Sequence, residues 1–83
     1  MEIAKEGDDR YATKDLFESA CIFAKGIKLI GLESTGSHYL FVFAGKKACE
    51  KIALEYCNGD CSVNARGMAD AVRRLKDLLF SKK

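Results

Sequence analysis

The sequence predicts a small α+β domain in the order α-β-β-α-α, in which a β-hairpin packs against three amphipathic helices. Segments 14–25, 46–57 and 65–80 carry apolar residues at helical spacing and predict the helices. Two apolar segments, 27–35 and 38–44, predict the hairpin. Gly36-Ser37 joins them, and glycine accepts the positive φ angle of a tight turn. A short extended piece within 60–63 is a candidate third strand.

The first helix has sequence signals at both ends. Thr13 is a good N-cap, and Asp15 would follow in the first turn, where a negative charge stabilises the helix. Gly26 ends the helix. Residues 1–10 are acidic and are expected to form a mobile leader, so that a single domain occupies 11–80.

The second and third helices have equally clear ends. Asn58-Gly59 supplies a left-handed stop for the second helix, and Asn64 is an N-cap for the third. Each helix has one apolar face: Ala48, Cys49, Ile52, Ala53, Tyr56 and Cys57 in the second, and Met68, Ala71, Val72, Leu75, Leu78 and Leu79 in the third.

The composition is that of a globular protein, since 48% of the 83 residues are hydrophobic and 31% are charged. The net charge of +2 is too small to argue for nucleic-acid binding. No segment reaches the roughly 18 apolar residues of a membrane span. The acidic N-terminus does not have the pattern of a secretory signal. We therefore expect a cytoplasmic protein with no membrane contact.

The strand from Tyr39 to Phe43 carries apolar side chains on both faces. Tyr39, Phe41 and Phe43 point one way, and Leu40 and Val42 the other, because side chains alternate along a strand. A chain this short has few elements with which to cover both faces. The segment is therefore an interface candidate and predicts a homodimer through the hairpin. The alternative is a monomer in which the three helices wrap both faces.

Gly45-Lys46-Lys47 at the start of the second helix is the sharpest candidate for a binding site. Exposed N–H groups and two lysines at a helix start suit a phosphate or carboxylate. The segment is not a P-loop, because that motif requires a glycine at Leu40 and a hydroxyl at Ala48. The competing interpretation, which we favour, is a solvated helix start with ion pairs four residues apart.

The third helix carries Arg66, Arg73 and Arg74, which with Lys51 and the two lysines above would form a nucleic-acid surface. Aspartates lie four positions from each of these arginines and cancel much of their field. Nucleic-acid binding is therefore an open but less favoured function.

The four cysteines do not follow a metal-binding pattern. Cys57 and Cys61 are the only close pair, whereas a zinc site commonly takes two such pairs. Cys21, Cys49 and Cys57 fall on predicted apolar helix faces, where free cysteine packs as a small hydrophobe. In a cytoplasmic protein we expect reduced thiols. His38 is expected at the surface without triad partners. We predict no catalytic residue, metal or cofactor.

Several short motifs occur at consistent spacing over residues 11–80: Tyr11-Ala12-Thr13-Lys14-Asp15-Leu16, Ala24-Lys25-Gly26, Leu29, Gly31, Phe41-Val42-Phe43, Tyr56, Val63-Asn64 and Leu75-Lys76. With them the chain resembles a family of small bacterial and phage-associated domains of unknown function. The cysteines are not part of that pattern. The resemblance implies a self-contained bacterial domain with no enzyme precedent, and it assigns no functional residue.

Together these patterns predict a non-enzymatic protein-interaction domain that self-associates through its hairpin and has a protein partner of unknown identity. The alternative is a nucleic-acid or phosphate-binding accessory domain that uses the basic start of the second helix and the arginines of the third. An enzyme is the least favoured class, because the sequence has no triad, metal set or dinucleotide glycine pattern.

Overall fold

The computed structural model describes residues 9–81. They form β1 (Arg10–Thr13), α1 (Leu16–Ala24), β2 (Leu29–Ser34), β3 (Tyr39–Ala44), α2 (Lys46–Cys57) and α3 (Ala65–Ser81). The predicted fold class is confirmed, since an antiparallel sheet that contains the hairpin packs against three helices. The predicted mobile leader, residues 1–10, lies outside the described residues except for Asp9 and Arg10, and Arg10 begins β1.

The third strand comes from a different part of the chain than the sequence predicts. β1 pairs with β3 on the side opposite β2, so the sheet order is β1-β3-β2 and β3 lies in the centre. Residues 60–63 form no strand. With only four residues, β1 is too short for its alternation to stand out from the surrounding polar sequence.

The start of α1 also differs from the prediction. Asp15, not Thr13, is the N-cap: its Oδ1 accepts hydrogen bonds from the backbone N–H groups of Phe17 and Glu18 at 2.9 and 3.0 Å. Thr13 belongs to β1, and its hydroxyl donates to Glu18 at 2.6 Å. Either residue type caps helices well, and pairing with β3 assigns Thr13 to the sheet.

The other predicted ends are confirmed. Gly36 takes a φ of 96° in the hairpin turn, and the Thr35 N–H donates to the His38 carbonyl at 2.9 Å. α2 has the predicted bounds. Asn64 caps α3, because its Oδ1 accepts from the Gly67 N–H at 2.7 Å.

The core lies between one face of the sheet and the helices. α1 is the most deeply buried helix and packs against both α2 and α3, whereas those two make few contacts with each other. Ser19 of α1 is buried without a hydrogen-bond partner for its hydroxyl among the described residues, an arrangement that costs stability. The buried cluster consists of Ala20, Cys21, Ile22, Phe41, Phe43, Cys49, Ile52, Ala71 and Leu75.

Candidate functional site

One face of the sheet is not covered by any helix of the described chain. The register places Tyr11, Leu29 and Leu32 beside Phe41 and Phe43, on the face that meets the helices. The residues between them point the other way. We call this second surface the open face; it consists of Arg10, Ala12, Ile30, Gly31, Glu33, Leu40 and Val42.

The centre of the open face is apolar. Val42 on the central strand is 7% exposed but is not part of the helix-side core. Ile30 sits at an irregularity in the β2–β3 pairing, where β2 has one extra residue, and is 45% exposed. A shallow cavity of about 160 Å³ lies beside Val42. A large apolar side chain beside a concave surface is a feature of protein interfaces.

The edges of the open face carry opposite charges. Arg10 on β1 lies opposite Ala44, at the C-terminal end of β3. Glu33 on β2 lies opposite Leu40, near the N-terminal end of β3. Both charged residues are exposed, and both line the shallow cavity. The two charges therefore occupy diagonally opposite corners of an apolar surface.

The five predicted interface residues divide between the two faces. Phe41 and Phe43 are buried under the helices, and Tyr39 shares their side of the strand. Leu40 and Val42 belong to the open face. The helices cover the face that carries Phe41 and Phe43, so Leu40 and Val42 are the predicted pair that another chain could contact.

The predicted anion site is engaged by the chain itself. Gly45 turns the chain from β3 into α2 with φ 84° and ψ 71°, a left-handed conformation that favours glycine. The N–H groups of Gly45 and Lys46 donate to the Asp9 carbonyl at 2.9 and 3.0 Å. Lys46 N–H also reaches the Asp9 carboxylate at 3.3 Å. Two of the N–H groups at this helix start therefore already have acceptors, while the side chains of Lys46 and Lys47 are exposed.

The remaining basic candidates are exposed but lie on two separate helices. Lys51 is on α2, and Arg66, Arg73 and Arg74 are on α3. α1 packs against both of these helices, whereas α2 and α3 make few contacts with each other. This arrangement does not favour one continuous basic surface. Glu55 of α2 forms an ion pair with Lys25 at 3.6 Å, which links α2 to the end of α1.

A half-buried polar cluster joins β1 to α1 and is not among the sites predicted from the sequence. Glu18 accepts two hydrogen bonds of 2.6 Å, one from the Tyr11 hydroxyl and one from the Thr13 hydroxyl. Tyr11 and Thr13 are two positions apart, so they lie on the same face of a strand. This spacing was the sequence signal from which the cluster could have been predicted. Burial, and then the hydrogen bond and charge of Glu18, raise the pKa of Tyr11 above its ordinary value of 10.0.

Tyr11 should therefore stay protonated in alkaline solution. Because the pKa of Tyr11 is higher in the folded chain than in the unfolded chain, the protonated tyrosine stabilises the fold. This contribution to stability is complete below pH 10.0 and is lost as the pH rises through the pKa of Tyr11 in the folded chain. We expect the folded protein and a Tyr11→Phe variant to show equal tyrosinate absorbance at about pH 11. A Glu18→Gln variant should bring the pKa of Tyr11 down. Extra tyrosinate in the unmodified protein at that pH would contradict the assignment.

The prediction of four reduced thiols is wrong for two of them. Cys21 on α1 and Cys61 in the α2–α3 loop form a disulfide, with Cα atoms 7.1 Å apart. The prediction relied on the expected compartment, whereas the fold brings these two residues together across 40 positions of sequence. Cys49 and Cys57 are free. Cys49 is buried as predicted, and burial raises the pKa of its thiol; Cys57 is exposed rather than on a covered helix face.

Residues 9–81 contain no group of three or more His, Cys, Asp or Glu side chains arranged to hold a metal ion. None of the helices in this part of the chain is both long enough and apolar enough to cross a membrane.

Comparison of the chain with known protein families, with curated proteins and with solved structures finds no match.

Proposed function

We propose that this chain is a non-enzymatic protein-interaction domain that forms a homodimer through its open face. The observation that supports this most is the apolar part of the open face, where Ile30 is 45% exposed and lines a shallow cavity together with Val42. Exposed apolar surface of this kind is costly to leave in water. A second copy is an occupant that is present wherever the chain is present.

The corner charges favour a second copy as the partner. When two open faces meet, a two-fold axis can lie in the plane between them. If this axis is perpendicular to the line from Arg10 to Glu33, each Arg10 lies over Glu33 of the second copy. Two opposite-charge contacts then form at the rim of one apolar patch. The strands of the two sheets cross steeply in this arrangement, which is one of the two common ways in which sheets pack.

The size of the open face sets the expected strength. Three strands of four to six residues span roughly 15 by 20 Å, or about 300 Å² for each copy. A standard interface buries about 800 Å² for each partner. The dimer should therefore be weak, with a dissociation constant of about 10 μM or higher.

A dilution series by analytical ultracentrifugation, from about 1 mM to about 1 μM, tests the dimer. We expect a reversible monomer–dimer equilibrium that Ile30→Lys weakens at least about tenfold, because a lysine would be buried in the interface. The matched control is Leu54→Lys, which changes an apolar side chain on α2 that is 63% exposed and lies away from the open face. A strict monomer at every concentration, or equal loss in both variants, would overturn the proposal.

A charge-reversal series tests the two-fold arrangement separately. Glu33→Arg should weaken the dimer several-fold, because it places arginine over arginine. The double variant Arg10→Glu with Glu33→Arg should restore it. Failure of the double variant to recover would leave a dimer but exclude this orientation.

Nucleic-acid or phosphate binding is the second candidate, and it has less support. The N–H groups of Gly45 and Lys46 already donate to Asp9, and the basic residues lie on two helices that make few contacts with each other. Retention on duplex DNA that falls steeply with salt would favour it over the homodimer.

We also propose a bacterial origin, which the family resemblance implies, and a cytoplasmic location. The Cys21–Cys61 disulfide bears on the location. In a reducing compartment, disulfides are mostly transient or redox-sensing, which would make this bond a reversible one.

A further inference from the structure

A second cavity, open to solvent, lies on the helical side of the molecule, across the sheet from the open face. Its volume is about 260 Å³. All three helices contribute to its walls, together with the loop between α2 and α3, residues 58–64. The lining residues are Cys21, Tyr56, Gly59, Cys61, Val63 and Met68. None of them belongs to the open face, so this cavity is a separate site that the proposed dimer does not use.

The loop that forms one wall is fixed at both ends and in its middle. At its start, the N–H groups of residues 58–60 donate to carbonyl groups in the last turn of α2. At its end, Asn64 caps α3. Between these points the disulfide ties Cys61 to the buried Cys21 of α1. A cavity whose walls are held in this way exists before a ligand arrives, so binding loses little free energy to reorganisation of the protein.

The lining of the cavity selects for a ligand without charge. None of the six described residues that line it has a charged side chain. An ion that entered would give up its hydration without gaining a partner of opposite charge, which is costly. A neutral, mainly apolar molecule would instead be removed from water, which is favourable. The lining therefore disfavours phosphates, metal ions and charged amino acids.

The volume and the sulfur atoms of the walls favour a single aromatic ring. An apolar cavity of about 150 Å³ is large enough to bind benzene, so a cavity of about 260 Å³ has room for one substituted ring. Tyr56 offers a ring for stacked or edge-to-face contact, and the thioether of Met68 makes favourable contacts with aromatic rings. The disulfide adds two further polarisable sulfur atoms to the wall. A saturated ring of the same size would gain less from these groups.

We infer that this cavity is a preformed binding site for a small neutral aromatic molecule with one hydrogen-bonding group, such as a phenol. The ring lies between Tyr56, Met68 and the disulfide. Within residues 9–81, no backbone hydrogen bond engages residues 61–63. The N–H and C=O groups of this part of the loop can therefore serve the polar group of the ligand at the mouth of the cavity.

A pair of ligands that differ only in aromaticity tests the inference. Para-cresol is the probe, and methylcyclohexanol, its saturated counterpart, is the matched control. Each is titrated to about 10 mM into the unmodified chain without reductant, and the ¹³C-labelled methyl group of Met68 is observed by NMR. We expect para-cresol to bind with a dissociation constant of about 1 mM or below. It should bind at least about threefold more tightly than methylcyclohexanol, because only the aromatic ring gains the contacts with Tyr56 and Met68.

Two variants of the loop test where the probe binds. Val63→Phe places a ring in the cavity and should abolish the binding of para-cresol. Ser62→Phe adds the same ring at a neighbouring exposed position that does not line the cavity, and should leave binding intact. The comparison of the two ligands uses the unmodified chain, so it decides the inference even if Val63→Phe does not fold.

Four results would overturn the inference: no saturable shift of the Met68 signal with para-cresol, equal affinity for the two ligands, intact binding in a folded Val63→Phe variant, or loss of binding in Ser62→Phe. A fifth concerns the occupant. If the Met68 signal shifts when the protein alone is concentrated, and still does so in Ile30→Lys, a second copy occupies the cavity instead. Failure of the dimer leaves this test unchanged, because the cavity and the open face share no residue.

Discussion

Phe43→Ala should lower the free energy of unfolding by about 4 kcal/mol, the usual cost of removing a buried phenylalanine side chain. Phe43 is 0% exposed and lies at the centre of the cluster between the sheet and the helices. A domain of this length has a total stability of roughly 4–12 kcal/mol. The variant should therefore be marginally folded or unfolded at 25 °C, as measured by urea denaturation.

Leu40→Ala is the matched control, because Leu40 lies on the same strand but on the open face. At concentrations where the chain is a monomer, we expect it to cost only about 1 kcal/mol. Equal costs for the two variants would show that the open face is as well covered as the helix side, and would contradict both the assignment of faces and the proposed interface.

Cys61→Ser should have the second largest effect, a loss of about 4 kcal/mol. The disulfide closes a loop across 40 positions of sequence, and the entropy that such a cross-link removes from the unfolded chain corresponds to about 4 kcal/mol. Urea denaturation without reductant measures the loss. Reduction of the unmodified protein should lower the free energy of unfolding by a similar amount.

Cys57→Ser is the control for the disulfide, because Cys57 is exposed and free and its replacement should change stability little. Thiol titration in denaturant gives an independent measure, with two reactive thiols expected before reduction, those of Cys49 and Cys57. Four thiols before reduction, or equal destabilisation by both variants, would contradict the disulfide.

The elements that the sequence predicted well are those with local signals. α2 begins after Gly45 and ends at Asn58-Gly59, and α3 begins at its Asn64 cap. The hairpin turn lies at Gly36-Ser37. Caps and glycine turns act over a few neighbouring residues, so their effect can be read without knowing the rest of the fold.

The elements that it missed depend on distant partners. Arg10–Thr13 is a strand because β3 supplies hydrogen bonds to it, and that pairing also assigns Thr13 to the sheet and leaves Asp15 as the cap. Cys21 and Cys61 meet only after α1 and the loop between α2 and α3 have packed. Nothing within a few residues of either cysteine indicates its partner.

The strand Tyr39–Ala44 combines both kinds of information. Its alternation is local, and it already separates Phe41 and Phe43 from Leu40 and Val42. The side that the helices cover depends on the path of the chain through Gly45 into α2 and on the way α1 packs against the sheet. Burying the two phenylalanines removes the larger apolar area from water, and Val42 is left at the centre of the open face.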